Sequence, residues 1–143
     1  MDYSQKAESY FSTKLNCAQS VLAPFGPDLG IDEKTCFRIA EAFGGGIAHS
    51  GQMCGAIIGA LMVLGLKHGR TETDDLEKRD KTNKLAKILI HKFTLLHKSS
   101  NCIELIDYDI STPAKLEKAR EEKVFQNCGN LVKDAVNILK DII

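Results

Sequence analysis

Five cysteines give this 143-residue sequence its clearest potential for chemistry. Three of them, Cys17, Cys102 and Cys128, directly follow an asparagine, and Cys54 follows the turn-forming residues 51–53. Asparagine is a preferred helix N-cap, so the pattern predicts that each of these four thiols opens a helix. A helix N-terminus carries a partial positive charge, which favours the thiolate form that attacks disulfides and binds metals.

Apolar residues three or four positions further on predict that the four thiols face the protein core. Val21 follows Cys17 at this spacing, and Leu131 follows Cys128. If the helix starts converge, the thiols form one site suited to an iron–sulfur cluster, to zinc or to dithiol chemistry. No Cys-x-x-Cys pair is present, so inert buried thiols remain an alternative. Cys36 lies mid-helix on an apolar face and is interpreted as a core residue.

Glycines surround Cys54 in the sequence. Gly51, Gly55 and Gly59 recur every four residues, which predicts a flat helix face that allows a second helix to approach closely. The run 44–46 ends the preceding helix, and the loop 44–51 could present backbone N–H groups to an anion or to a cluster sulfur. The candidate cofactor-binding residues are therefore Gly45, Gly46, Gly51 and Gly55.

Histidines add little to this site. His49 lies in the glycine-rich loop, five residues before Cys54, where it could donate a proton or bind a metal. A single loop histidine is more often exposed to solvent. His68, His91 and His97 form no His-x-x-x-His pair, and no Ser-His-Asp arrangement is recognisable.

Helical periodicity runs through almost the whole chain, and no segment alternates as a strand does. The predicted helices cover residues 2–13, 16–25, 32–43, 54–68, 73–97, 101–107, 111–123 and 127–143. No linker or internal repeat divides them. The fold class is therefore all-α: one compact helical bundle of about six to eight helices, with residues 1–143 as a single domain.

The fifth predicted helix is long and has two distinct halves. Its first half carries acid-before-base pairs at i,i+4 spacing and is interpreted as a solvated face: Asp74–Lys78, Asp75–Arg79, Glu77–Lys81 and Asp80–Lys84. Its second half carries a predicted core stripe of Leu85, Ile88, Leu89, Phe93 and Leu96. The length of this helix and the glycine-lined fourth helix are also compatible with a homodimer.

The charge and hydropathy of the chain argue against nucleic acids and membranes as partners. Lys plus Arg (19) equals Asp plus Glu (19), so the chain lacks the basic excess that favours nucleic acids and membrane surfaces. The longest apolar run, residues 53–66, is too short for a membrane span of about twenty residues. The N-terminus lacks the order of a signal peptide, so we expect a cytoplasmic protein whose cysteines serve metal binding or redox chemistry.

Four cysteine-containing segments, in this order, resemble the redox-active C-GCAxxG-C-C family over nearly the whole chain. They are residues 16–22 (NCAQSVL), 51–62 (GQMCGAIIGALM), 102–105 (CIEL) and 128–132 (CGNLV). The most specific part is the Cys-Gly-Ala-x-x-Gly core from Cys54 to Gly59. One departure is that Met53 precedes Cys54, where the family name writes glycine.

The resemblance implies that Cys17, Cys54, Cys102 and Cys128 are the four signature cysteines and that Cys36 lies outside the set. It also implies redox activity, with a redox partner protein or a transporter-associated system as the partner, since genes of the family are often found near transporter genes. The chain is also similar to part of a cytochrome family with an iron–sulfur centre. It lacks Cys-x-x-Cys-His, so covalent haem is not expected.

Three functional hypotheses follow. In the first, Cys17, Cys54, Cys102 and Cys128 hold an iron–sulfur cluster for electron transfer. In the second, two thiols cycle between dithiol and disulfide without a metal; the candidate catalytic residues are Cys54, as the attacking thiol, and Cys17. In the third, the protein is a structural or partner-binding helical module with bound zinc or inert buried cysteines.

Overall fold

The computed structural model describes residues 2–143. These residues contain eight α-helices and two 3₁₀ turns, joined by loops. The α-helices are α1 (Tyr3–Ser12), α2 (Cys17–Phe25), α3 (Glu33–Ala40), α4 (Gly55–His68), α5 (Leu76–His97), α6 (Cys102–Ile106), α7 (Pro113–Glu121) and α8 (Cys128–Ile142). The 3₁₀ turns are Pro27–Leu29 and Glu41–Phe43. Within these residues the only β-type pairing is an isolated antiparallel bridge between Met53 and Asn101. The predicted all-α class is confirmed.

Helices α2 and α4 form the centre of the bundle. They pack against each other, and α1, α5 and α8 cover them. Helix α4 is apolar around most of its circumference, which is typical of a helix buried by neighbours on several sides. The largest fully buried side chains include Leu22, Ile57, Leu64, Leu89 and Phe93. None of the helices described between residues 2 and 143 has both the length and the apolar character to cross a bilayer.

Glycines allow α2 and α4 to approach closely. A Cβ atom on Gly59 would lie 2.6 Å from the carbonyl oxygen of Ala18 and 3.0 Å from Cβ of Val21. A Cβ atom on Gly55 would lie 3.2 Å from the backbone nitrogen of Ala18 and 3.2 Å from Cβ of Cys17, both in α2. The predicted close helix packing is therefore confirmed for Gly55 and Gly59.

The N-terminal caps agree only in part with the asparagine pattern. Asn16 forms a capping box with Gln19: its side chain accepts the Gln19 N–H at 2.8 Å and its own N–H donates to the Gln19 side chain at 2.9 Å. Asn101 and Asn127 form no such bond. The Asn101 amide donates to the carboxylate of Glu104 instead (3.0 Å), and Asn127 already has helical backbone angles.

The first half of α5 is a solvated face, as its charge run predicts, and none of the four acid–base pairs forms an ion pair within residues 2–143. The helix begins at Leu76, and Asp75 is its N-cap, accepting the backbone N–H of Lys78. Asp74 and Asp75 therefore precede the helix, where residues four positions apart do not lie on one helical face. Arg79 pairs with its neighbour Asp80 (3.0 Å) rather than with a residue one turn away.

The core stripe of α5 ends differently from the prediction. Leu89 and Phe93 are fully buried as expected, but Leu96 is 57% exposed. His97 occupies the next inward position, four residues after Phe93, because 3.6 residues per turn place i+4 rather than i+3 on this face. Its Nε2 lies 3.0 Å from a carboxylate oxygen of Asp134, without hydrogen-bond geometry.

Candidate functional site

The structure places four cysteines around one small cavity of about 30 Å³. Cys17, Cys102 and Cys128 are the first residues of α2, α6 and α8, and Cys54 precedes α4. The rest of the lining carries no charged side chain and consists of Gly45, Gly46, Gly55, Leu105, Ile106, Phe125 and Leu131. Four chain segments that are distant in sequence therefore bring their thiols to a single apolar space.

A short backbone clamp holds two of these cysteines. The N–H of Cys54 donates to the carbonyl of Ser100 (2.8 Å), and the N–H of Cys102 donates to the carbonyl of Gln52 (2.6 Å). Cys54 is the N-cap of α4 rather than its first residue, because its ψ angle of 131° is not helical. The clamp fixes Cys54 and Cys102 relative to each other through main-chain hydrogen bonds.

The other two cysteines interact through their thiols. A hydrogen bond between the two sulfur atoms raises the pKa of Cys17 well above its ordinary value and lowers the pKa of Cys128. Burial raises the Cys17 pKa further. When one proton is lost from this pair, the remaining thiol stabilises the thiolate by donating its hydrogen, and Cys128 is the sulfur of lower pKa.

The clamped cysteines are protonated at neutral pH. Burial raises the pKa of Cys54 to about 11 and that of Cys102 to about 12. Backbone N–H groups at the start of α4 lower the Cys54 pKa but do not offset its burial. The expectation that each helix start favours a thiolate therefore holds only for Cys128, and there the main cause is the Cys17 thiol.

The glycine-rich loop wraps the cavity in a left-handed turn. All five residues from 45 to 49 have positive φ, between 49° and 72°. A Cβ atom on Gly46 would lie 2.7 Å from Cβ of Cys102, so only glycine allows this contact with the cysteine. Gly51 is not part of the cavity lining; it packs against Ile103. Backbone N–H groups from residues 48–52 already donate to carbonyls, which leaves them unavailable to an anion.

A larger open cleft of about 660 Å³ lies beside the small cavity. The two spaces share Cys17, Gly45, Phe125 and Cys128. The cleft has apolar walls and a polar rim; the walls include Phe11, Leu15, Leu116 and Phe125, and the rim includes Lys14, Glu41, His49 and Arg120. Cys17 and Cys128 are therefore the two cysteines that line both spaces.

A family model matches residues 15–142, and its description reads "Putative redox-active protein (C_GCAxxG_C_C)". The chain belongs to this family. The resemblance inferred from the four motifs is thereby confirmed. No curated protein and no solved structure matches the chain.

In this member of the C_GCAxxG_C_C family, the fifth cysteine lies apart from the other four. Cys36 is fully buried in the core, as predicted, and does not line either space. His49, interpreted from sequence as a solvent-exposed loop residue, is half-buried beside Arg120 in the cleft. Burial and the nearby guanidinium lower the pKa of His49, so its imidazole is neutral at pH 7.

The four cysteines that line the cavity of this C_GCAxxG_C_C protein are chemically suited to bind a metal group, but their arrangement in the structure does not form a metal site. Thiolates are the usual ligands of iron–sulfur clusters and of structural zinc. Among residues 2–143, however, no three or more His, Cys, Asp or Glu side chains are arranged to hold a metal ion. The cavity between the thiols is small, about 30 Å³, so the four cysteines would have to move apart to surround a multi-iron cluster.

Proposed function

We propose that this protein is a thiol–disulfide redox protein in which Cys17 and Cys128 alternate between dithiol and disulfide. One observation carries the proposal: these two interacting thiols line both the four-cysteine cavity and the open cleft. A reactant that enters the cleft can therefore reach them. In a reducing compartment such as the cytoplasm, the pair rests as the dithiol.

The two thiols have different roles in the proposed reaction. Cys128, with its lowered pKa, attacks one sulfur of a reactant disulfide as the thiolate, and the other sulfur leaves as a thiol. Cys17 then attacks the Cys128 sulfur, which releases the second thiol and forms the protein disulfide. Two protein thiols are oxidised, one reactant disulfide is reduced to two thiols, and the two protons pass to the products.

Cys54 has a different place in this proposal from the attacking role predicted for it. Because its pKa is about 11, the Cys54 thiol is protonated at neutral pH and is a poor nucleophile. The attack is therefore assigned to Cys128, and Cys17 keeps a catalytic role. Cys54 and Cys102 close the inner side of the site, held by the backbone clamp.

Mass spectrometry after controlled oxidation tests the proposal. Reduced protein is treated with a mild disulfide oxidant, remaining thiols are alkylated, and proteolytic peptides are mapped. We expect a Cys17–Cys128 disulfide that is absent from the Cys17→Ala and Cys128→Ala variants and present in a Cys36→Ala control. A disulfide between Cys54 and Cys102 alone, or full alkylation of all five cysteines, would refute the assignment.

A four-thiolate iron–sulfur site is the second proposal, favoured by the meeting of four thiols in one cavity without charged side chains. The residues as arranged do not fit a cluster, so no reaction step is derived through it. Protein purified without oxygen is analysed for iron, sulfide and visible absorption. Iron with sulfide that is lost in Cys54→Ser would support the cluster, and zinc alone would favour a structural module. Colourless, metal-free protein with reactive thiols would favour the dithiol proposal.

A further inference from the structure

The open cleft has the dimensions of a small-molecule binding site. Its volume of about 660 Å³ lies within the range of ligand pockets, which is about 300–1,000 Å³. It combines apolar walls, including Phe11 and Phe125, with a few polar groups at the rim. This composition is typical of sites that bury the body of a ligand and orient its polar ends.

The position of the two thiols restricts which disulfides can react. Cys128 is only 4% exposed, and Cys17 is half-buried. Both lie in the lining of a concave space, where the disulfide of a folded protein has little room to approach. A small, flexible disulfide can enter the cleft and bring a sulfur atom to Cys128.

The rim of the cleft carries an excess of positive charge. Neither Lys14 nor Arg120 has an ion-pair partner within the part of the chain described by the structure, residues 2–143. The single carboxylate on the rim, Glu41, accepts a hydrogen bond from the amide of Gln19 (3.1 Å). His49 adds no charge at neutral pH. Two cations therefore face a space that contains one carboxylate already bonded to an amide.

We propose that the cleft binds a small disulfide bearing carboxylate groups, which Lys14 and Arg120 hold while Cys128 attacks a sulfur atom. This inference rests on the proposed thiol function and names its substrate class. One substrate disulfide and two protein thiols give two small thiols and the Cys17–Cys128 disulfide, so protons and electrons balance without a further reactant. The carboxylates of the substrate determine which disulfides bind in the cleft, and the Cys17 and Cys128 thiols reduce the disulfide that is bound.

Single-turnover rates with probes of different charge test this specificity. Reduced protein is mixed with oxidised glutathione (anionic), bis(2-hydroxyethyl) disulfide (neutral) or cystamine (cationic). We expect Arg120→Gln to slow the reaction with oxidised glutathione about tenfold, as expected for losing a hydrogen bond to a charged group. The rate with the neutral probe should change less than about twofold, since the reacting thiols are intact. Lys118→Gln, an exposed change on the same helix but outside the cleft, should alter neither rate.

A binding measurement separates this inference from the thiol function. Oxidised glutathione is titrated calorimetrically into the Cys17→Ala/Cys128→Ala double variant, with and without Arg120→Gln. If wild-type protein reduces no probe but binding weakens with Arg120→Gln, the thiol function is refuted and the cleft assignment holds. If all probes react alike and binding does not depend on Arg120, the cleft assignment is refuted and the thiol function holds. If there is neither reaction nor binding, both are refuted.

Discussion

Replacing Gly59 by alanine should force α2 and α4 apart, whereas the same change at Gly65 should stabilise α4. The two glycines lie on one helix and differ in their surroundings. A Cβ atom on Gly59 would lie 2.6 Å from the carbonyl oxygen of Ala18, but a Cβ atom on Gly65 would have no neighbour within 4 Å. Restoring an ordinary contact of 3.4 Å requires a local separation of about 0.8 Å, and the contacting atom is rigid backbone.

The expected magnitudes follow from two opposing effects. Alanine is more favourable than glycine in a helix interior by about 1 kcal/mol, and this gain applies at both positions. Steric strain in a packed core costs about 1–3 kcal/mol, and this cost applies only at Gly59. The free energy of unfolding should therefore rise by up to about 1 kcal/mol for Gly65→Ala and fall by up to about 2 kcal/mol for Gly59→Ala.

Urea unfolding followed by circular dichroism measures both values. With an m-value of about 1–3 kcal/mol/M, the two midpoints should differ by about 1 M, and m itself should not change. Gly65→Ala serves as the matched control, because it makes the same chemical change in the same helix. If Gly59→Ala were as stable as Gly65→Ala, the close approach of α2 and α4 would not have the energetic importance assigned to it.

Two further predictions concern a helix cap and a thiol. Asn16→Ala removes the capping box of α2 and should lower the free energy of unfolding by about 1–2 kcal/mol. The control Asn127→Ala removes no cap bond and should lower it by less than about 0.5 kcal/mol. Thermal unfolding compares the two variants, and equal losses would contradict the capping argument. Cys128 should react with iodoacetamide at lower pH than an ordinary thiol, because the Cys17 proton stabilises its thiolate. Cys17→Ala removes that proton and should move the alkylation midpoint of Cys128 to higher pH. Peptide mass spectrometry measures the extent of alkylation at each pH, and an unchanged profile would refute the Cys17–Cys128 interaction.

Much of the fold follows from local sequence signals. Helical periodicity and capping residues together predict eight helices, and periodicity is clearest in α8, which buries an apolar face. Residues with strong N-cap preferences mark two of the starts: the side chains of Asp32 and Thr112 accept backbone N–H groups at the beginning of α3 and α7. The meeting of four thiols could also be anticipated, since each lies at a helix start with apolar residues following it.

Features that depend on tertiary neighbours could not be predicted in the same way. The pKa directions of the thiols depend on how deeply each is buried and which sulfur is adjacent, and a helix position does not contain this information. Leu96 belongs to an apolar pattern, yet His97 takes the inward position. The cleft combines Phe11 with Arg120, residues far apart in the chain that come together only after α7 has docked.

The left-handed turn at residues 45–49 has an unfavourable conformational free energy. Three of its five residues, Ile47, Ala48 and His49, have side chains that disfavour positive φ, at about 1–2 kcal/mol each. Their combined cost of about 3–6 kcal/mol is large beside the total stability of a typical domain, about 5–15 kcal/mol. Hydrogen bonds such as those from Ala48 to Ala42 and from Gln52 to Gly46 hold the turn in place. The protein thus stores conformational free energy beside its thiols, and any rearrangement that breaks these bonds releases part of it.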